Sequence, residues 1–414
     1  MSSKRKIHLT LSVAAAAALA ACSSSSEKKS NPVCYGAATD GGGVIQSFQP
    51  PCDPGPKNIL LTASGEVLAL GGYDFPPASA DAPAFVDGWE VRLTKLIVTF
   101  DHVRLNRNPD LSPTDESQVG SLVVQVNGPW AVDVHKGGPL EGKGGPDEQA
   151  VPIAAITGNF DPAQRLAFSF DTVAATPDAK NVNLDASDLT DYQDMITHGY
   201  TVLYVGTATW RGDAPGVTCT STIPGYDFSK IPPVVDFRFG FAAPTSYINA
   251  QNPDNSPASP FPGEENQRGI AVKANTSTIA QATFHIDHPL WESFVHDSPI
   301  HFDQIAAQYA SDTAATDPAP TATLDGMVGV DFSAFEDALG NALPWRNCVG
   351  DAYTPPPGDQ MHFDNLSVPY VLGSSDPAAA LRDYRDFMTY NLSTFGHLNS
   401  DGLAYVSRNY PSPQ

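Results

Sequence analysis

The chain is organised by short runs in which apolar, β-branched and aromatic residues recur at alternate positions or crowd together. Such runs occupy Asn58–Ala63, Glu66–Gly71, Trp89–Leu105, Ser121–Val126, Arg165–Thr172, Tyr200–Trp210, Val234–Phe241 and Ile279–Ile286. Residues two apart on a strand share a face, so this period predicts strands with one buried side. Turn residues separate the runs, as in sandwiches and barrels. Within Trp89–Leu105, Val91 and Leu93, then Ile97 and Thr99, fall at alternate positions, enough for two strands or one bent one. The expected fold is therefore mainly β: an antiparallel β-sandwich, Ig-like or jelly-roll-like.

Helical patterns are few and sit mostly in the C-terminal third. Asp188–His198 begins with acidic residues and stops at Gly199. His301–Ala310, Phe332–Leu339 and Asp376–Leu392 also read as helices. The last places Asp376 at the N-cap and Pro377 at the first helical position. The stretches Pro253–Glu265, Asp312–Ala322 and Thr354–Asp359 read as loops. The expected organisation is a sandwich over residues 58–290, with residues 291–414 packed on it as a helix-and-loop appendage.

The N-terminus carries an address rather than a fold. Lys4, Arg5 and Lys6 precede an alanine-rich apolar stretch from Leu9 to Ala21 that is too short for a stable membrane span. It ends Leu19-Ala20-Ala21-Cys22, which resembles the lipobox of bacterial lipoproteins. Residues 1–21 are then a cleaved signal, and Cys22 is the acylated first residue of the mature chain. Multiple acyl chains supply an anchoring that a single chain cannot. Residues 22–57 form an acylated tether and a cysteine-containing loop. Ser23 follows the cysteine in place of an aspartate, which favours the outer membrane, on its periplasmic face or at the cell surface. The expected partners are the membrane, through the lipid, and a periplasmic or surface protein.

Composition adjusts this picture. Of the 46 acidic residues, 36 are Asp, which favours turns and caps, and the 37 Pro and 33 Gly agree with a loop-rich β protein. Loss of Lys4, Arg5 and Lys6 takes the formal charge from −23 to about −26. No basic patch stands out against that field, so nucleic acid is not an expected partner. Beyond Cys22 there remain Cys34, Cys52, Cys219 and Cys348. In an oxidising compartment four cysteines suggest two disulfides with three possible connectivities, of which Cys34–Cys52 with Cys219–Cys348 is favoured.

Enzyme signatures are scarce: no G-x-S-x-G elbow, no H-E-x-x-H and no phosphate-binding glycine loop occurs. Histidine placement is the unusual feature. Of ten histidines, His285, His288, His296 and His301 fall within 17 residues, and His362 and His397 follow. Three precede an aspartate by two positions: His285 with Asp287, His301 with Asp303, and His362 with Asp364. With 36 Asp in the chain, chance gives roughly one such pair. His285 and Asp287, at the end of a strand, would face one way. Pro289 would turn the chain there and bring His288 round. Imidazole with carboxylate suits zinc, copper or iron rather than calcium, with copper or zinc as the expected cofactor. The candidate metal ligands are His285, Asp287, His288 and His301. Asn399-Ser400-Asp401-Gly402 and Gly326 read as turns. A metal-free adhesion or scaffold protein and a His/Asp-dependent hydrolase are the alternatives, with binding favoured over catalysis.

Two stretches carry a resemblance: Val86-Asp87-Gly88-Trp89-Glu90-Val91-Arg92-Leu93 leading to Ile97-Val98-Thr99-Phe100, and Thr283-Phe284-His285-Ile286-Asp287-His288-Pro289-Leu290-Trp291. They resemble uncharacterised lipoproteins of myxobacterial type. More distantly they are similar to the periplasmic copper-handling proteins associated with methanobactin. In the latter, histidines and a tryptophan oxidised to kynurenine hold the metal. The resemblance thus implies copper chemistry at His285 and His288, with Trp291 nearby.

Overall fold

A computed structural model describes residues 44–79, 82–221, 223, 225–292, 298–310, 319–330, 345–350 and 383–410. Its axis is the 18-residue strand Trp89–Asn106. Trp89, Val91 and Leu93 point inward at alternate positions, and a half-buried residue separates each pair. Val202–Trp210 pairs antiparallel along its first half, Trp130–Asp133 lies on the opposite edge, and Arg165–Thr172 continues the Val202–Trp210 edge along the second half. The long run is one bent strand. The register slips between Asp101 and Arg104, where His102 adopts a left-handed φ of 50°. An irregularity of this kind bends a strand without ending it.

Among the described residues, twelve strands belong to this sheet and five to a second one. The second runs Gly396–Leu398, Thr278–Phe284, Ile59–Ser64, Gly145–Ile156 and Leu140–Gly142 in spatial order. Aromatic side chains join the sheets: Phe284 lies 5.8 Å from Phe100 and 6.0 Å from Phe170, ring centre to ring centre. Every residue of Ile59–Ser64 is buried, as expected for a strand covered on both faces. The outer face of the large sheet carries the helix Ala186–His198, whose Leu189, Tyr192 and Met195 pack on Ile97 and Leu203. Burying such side chains contributes roughly 2 kcal/mol each. Asp185 closes a capping box with Asp188, and Gly199 ends the helix at a left-handed φ of 69°.

The protein is mainly β, but its sheets are open and mixed rather than wholly antiparallel. Ile59–Ser64 runs parallel to Thr278–Phe284, and Val234–Phe241 parallel to Thr321–Thr323. Each parallel pair joins segments remote in sequence, which periodicity does not reveal. Helices are not confined to the C-terminal third, since Glu66–Gly71 and Ala186–His198 precede it. Glu66–Gly71 is a helix where alternation predicted a strand. Gly65 caps this helix where space is short: a Cβ there would lie 2.5 Å from that of Ala69 and 2.9 Å from a methyl of Val134. The Ser64 hydroxyl accepts from Glu66 N at 2.9 Å and starts the turn. Six residues are too few for the helical and strand periods to be told apart.

The described residues beyond 290 are not only helix and loop: they supply the strands Thr321–Thr323, Gly396–Leu398 and Tyr405–Arg408 to the two sheets. Among the described residues the last helix is Tyr384–Leu392, inside the stretch expected to be helical from Asp376. Asp383 is extended, with φ −155°, and its carboxylate caps Asp386 N. Asp376, the helix at 332–339, His296, His362, Cys22 and Cys34 lie outside the described residues. The segment predicted helical from His301 forms a helix only over Asp303–Ala307.

Cys219 and Cys348, 129 residues apart, form a disulfide beside the strand pair Thr220–Ser221 and Arg346–Asn347. Cys52 is also disulfide-bonded. Among the described residues no helix is long and apolar enough to cross a membrane.

Candidate metal site

The site grows from the end of one strand. Thr278–Phe284 stops at Phe284, and His285 N then donates to Phe395 O at 2.8 Å. A single 3₁₀ turn, His288–Leu290, follows with Pro289 near its start, where a proline's missing N–H costs nothing. Gly396–Leu398 pairs with the strand, setting His397 opposite Thr283. Gly396 permits this pairing. A Cβ at that position would fall 2.5 Å from the Tyr247 ring.

Three imidazoles meet here. The His285 and His397 rings stack at 4.0 Å, 4° from parallel. His288 stands edge-on to both, at 5.4 and 5.3 Å. One ring nitrogen from each of the three lies within 4.8 Å of the others. Ligands at ~2.0–2.2 Å from one ion are at most about twice that apart, so small ring adjustments would let all three bind. A second group shares His285 and adds carboxylate oxygens of Glu66 and Asp401, within the same limit. Such groups of His, Asp and Glu could hold a metal ion.

The surroundings orient these rings. The Thr394 hydroxyl has one proton and donates it to Asn391 O at 2.8 Å. It must therefore accept from His288 Nδ1, 2.7 Å away. That bond places the proton of a neutral His288 on Nδ1 and the lone pair on Nε2, the arrangement a ligand requires. Trp291 stacks on the other side of His288 at 3.8 Å and donates its Nε1–H to Asp287 Oδ2 at 3.1 Å. His285 Nε2 lies 3.3 Å from Ser400 O, 3.5 Å from Glu66 Oε1 and 3.9 Å from Asp401 Oδ1. Burial disfavours charge on His285, but Glu66 above all, with Asp287 and Asp401, outweighs it and raises its pKa to about 9. Burial pushes the Glu66 carboxyl up, and His285 and the Ser400 hydroxyl more than reverse that, leaving it lowered.

Of the four ligands expected from sequence, His285 and His288 come together and the other two do not join them. Asp287 holds Trp291 instead. The strand ends before His285, so the two-residue rule that aligned it with Asp287 does not apply there. His301 is fully buried elsewhere, with Nε2 paired to Glu292 and Nδ1 3.7 Å from Asp87. Burial opposes its charge, but Glu292 and Asp87 outweigh that and raise its pKa to about 10. Its neighbour Asp303 belongs to the same buried network. Trp89 Nε1 donates to it at 2.8 Å and Arg346 Nε at 2.7 Å.

His397, Glu66 and Asp401 are the donors that sequence reasoning missed. His397 has no aspartate two residues on, Glu66 was assigned to a strand, and Asp401 to a turn. It does lie in a turn, and the turn carries it to the site. The chain matches no protein-family model, no curated protein and no solved structure.

Proposed function

We propose that this protein is a membrane-anchored extracytoplasmic lipoprotein that binds a transition metal, copper or zinc, through His285, His288 and His397. The observation that carries the reading is the convergence of three imidazole nitrogens within 4.8 Å, two of the rings buried. Imidazole ligands suit both metals. The Thr394 bond to His288 is the kind of outer contact that fixes a ligand's tautomer. Three protein ligands would leave a fourth position for a water, a small ligand or a group of a partner protein. The lipobox ending at Cys22 supports the anchor and the outer-membrane location, and the two packed β-sheets would serve as a sandwich-like scaffold. The resemblance to copper-handling proteins supports copper over zinc.

Elemental mass spectrometry of the full chain, purified without chelator and again after loading with Cu²⁺ or Zn²⁺, tests the reading. About one equivalent of metal in the native chain, lost on His397→Ala, is the expected result. A chain that holds neither metal, before or after loading, would instead be the metal-free scaffold.

A further inference from the structure

The two donor groups sharing His285 differ in access, and the difference is graded. The Asp401 side chain is 69% exposed, Glu66 20% and His285 11%. His288 and His397 are 0% and 1% exposed. The donors thus run from solvent to interior, oxygen first and nitrogen last.

The outer donors are held in place. Glu66, Asn399 and Ser400 all adopt left-handed backbone conformations, with φ of 59°, 53° and 72°. Such conformations disfavour residues with a side chain and persist only where neighbours enforce them, often at functional sites. Here the enforcing contacts are visible. Ser400 N donates to Thr283 Oγ1 at 3.0 Å, and Asn399 N to Gln281 O at 2.9 Å. Ser400 Oγ donates to Glu66 Oε1 at 2.8 Å, tying the strained turn to the strained helix start. Relaxing either turn would withdraw a carboxylate from His285.

We propose that Glu66, His285 and Asp401 form an outer landing position for a hydrated divalent cation, which then passes inward to His285, His288 and His397. The proposal rests on the metal-binding reading above and adds a route and a charge class. Carboxylate oxygens are hard donors that suit a divalent ion and are poor ligands for Cu⁺, which favours sulfur. They can also capture an ion that still keeps part of its water shell. Because His285 belongs to both groups, the ion exchanges oxygen for nitrogen without losing every protein ligand. The acidic chain draws cations toward this open side.

The test is stopped-flow mixing of the full chain with Cu²⁺ in a non-coordinating buffer, followed by tryptophan fluorescence. Copper retained after gel filtration is counted in parallel. Glu66→Gln with Asp401→Asn should slow association at least tenfold while one copper per chain is still retained. Asp401→Asn alone, at an exposed side chain, should slow it severalfold. His397→Ala should keep the fast first phase but lose its copper on the column. Unchanged association in the carboxylate variants would overturn the proposal. So would loss of their retained copper, because the carboxylates would then belong to the final site. A wild-type chain that retains no copper or zinc would defeat the metal reading itself, a different result from either.

Discussion

The hydroxyl of Thr394 accepts a hydrogen bond from Nδ1 of His288 and, through Asn391, has no second proton with which to reverse the direction. Thr394→Val keeps the shape and removes the acceptor. It should weaken copper or zinc binding by roughly 10–100-fold, the usual effect of losing an outer-shell partner of a ligating histidine. Thr394→Ser should restore most of the loss. Competition titration against a chelator of known affinity measures both. Equal affinities for the three proteins would show that His288 needs no such orientation.

His301 should behave in the opposite way. It is buried between Glu292 and Asp87 and lies outside the imidazole group. His301→Gln leaves two carboxylates without their cation, which typically costs about 3–5 kcal/mol. Denaturant unfolding should register that loss, while metal content in the folded fraction stays at the wild-type level. A variant of normal stability that has lost its metal would return His301 to the ligand set.

Alkaline conditions should destabilise the protein through two buried groups whose pKa values are both raised. His301 contributes stability in full below its unfolded value of 6.5, and that contribution fades as pH rises through about 10. Burial, reinforced by Glu264 and opposed by Arg268, raises the Glu116 carboxyl from 4.5 to about 8. The folded state therefore binds more protons than the unfolded state between those values. Stability falls as pH climbs through that window, at about 1.4 kcal/mol per unit at most. Glu116→Gln should remove its share of the loss between pH 5 and 8, flattening the profile below about 6.5, and leave the His301 loss above that in place. Unfolding midpoints from pH 5 to 10 would show it, and identical profiles would refute the assignment to Glu116.

The proposed anchor has a direct readout. Cys22→Ser should move the protein from the membrane fraction to the soluble fraction or leave it unprocessed. Unchanged fractionation would exclude acylation at Cys22. In exported protein, alkylation under denaturing, non-reducing conditions should label none of Cys34, Cys52, Cys219 and Cys348. The Cys219–Cys348 bond accounts for two of the four.

Val234–Phe241 was legible because burial alternates along most of it, and Arg165–Thr172 because it is a short apolar and aromatic run buried on both faces. The capped helix before Gly199 was legible because its stop is chemical and local. Glu66–Gly71 was not, because a six-residue apolar run carries no decisive period and the cause of its turn is the crowding around Gly65. Two of the three imidazoles were visible for the same kind of reason. His285 and His288 sit three residues apart, whereas His397 reaches them only through a strand pairing across more than a hundred residues. No spacing rule records that pairing. The aspartate two residues after His301 was misleading, since Asp303 pairs with Arg346 and Trp89, and His301 looks to Glu292 and Asp87.

The donors lie at positions 66, 285, 288, 397 and 401. A chain made from its N-terminus presents Glu66 early and cannot assemble the imidazole trio until the strand that carries His397 has arrived. Partly synthesised chains therefore lack the site, and a product cut before residue 397 would lack it permanently. Metal acquisition would then certify a finished molecule and be confined to the compartment where folding ends. Loading with copper or zinc would also tie the two ends of the sequence together, so proteolytic loss of the C-terminus should release the ion at once.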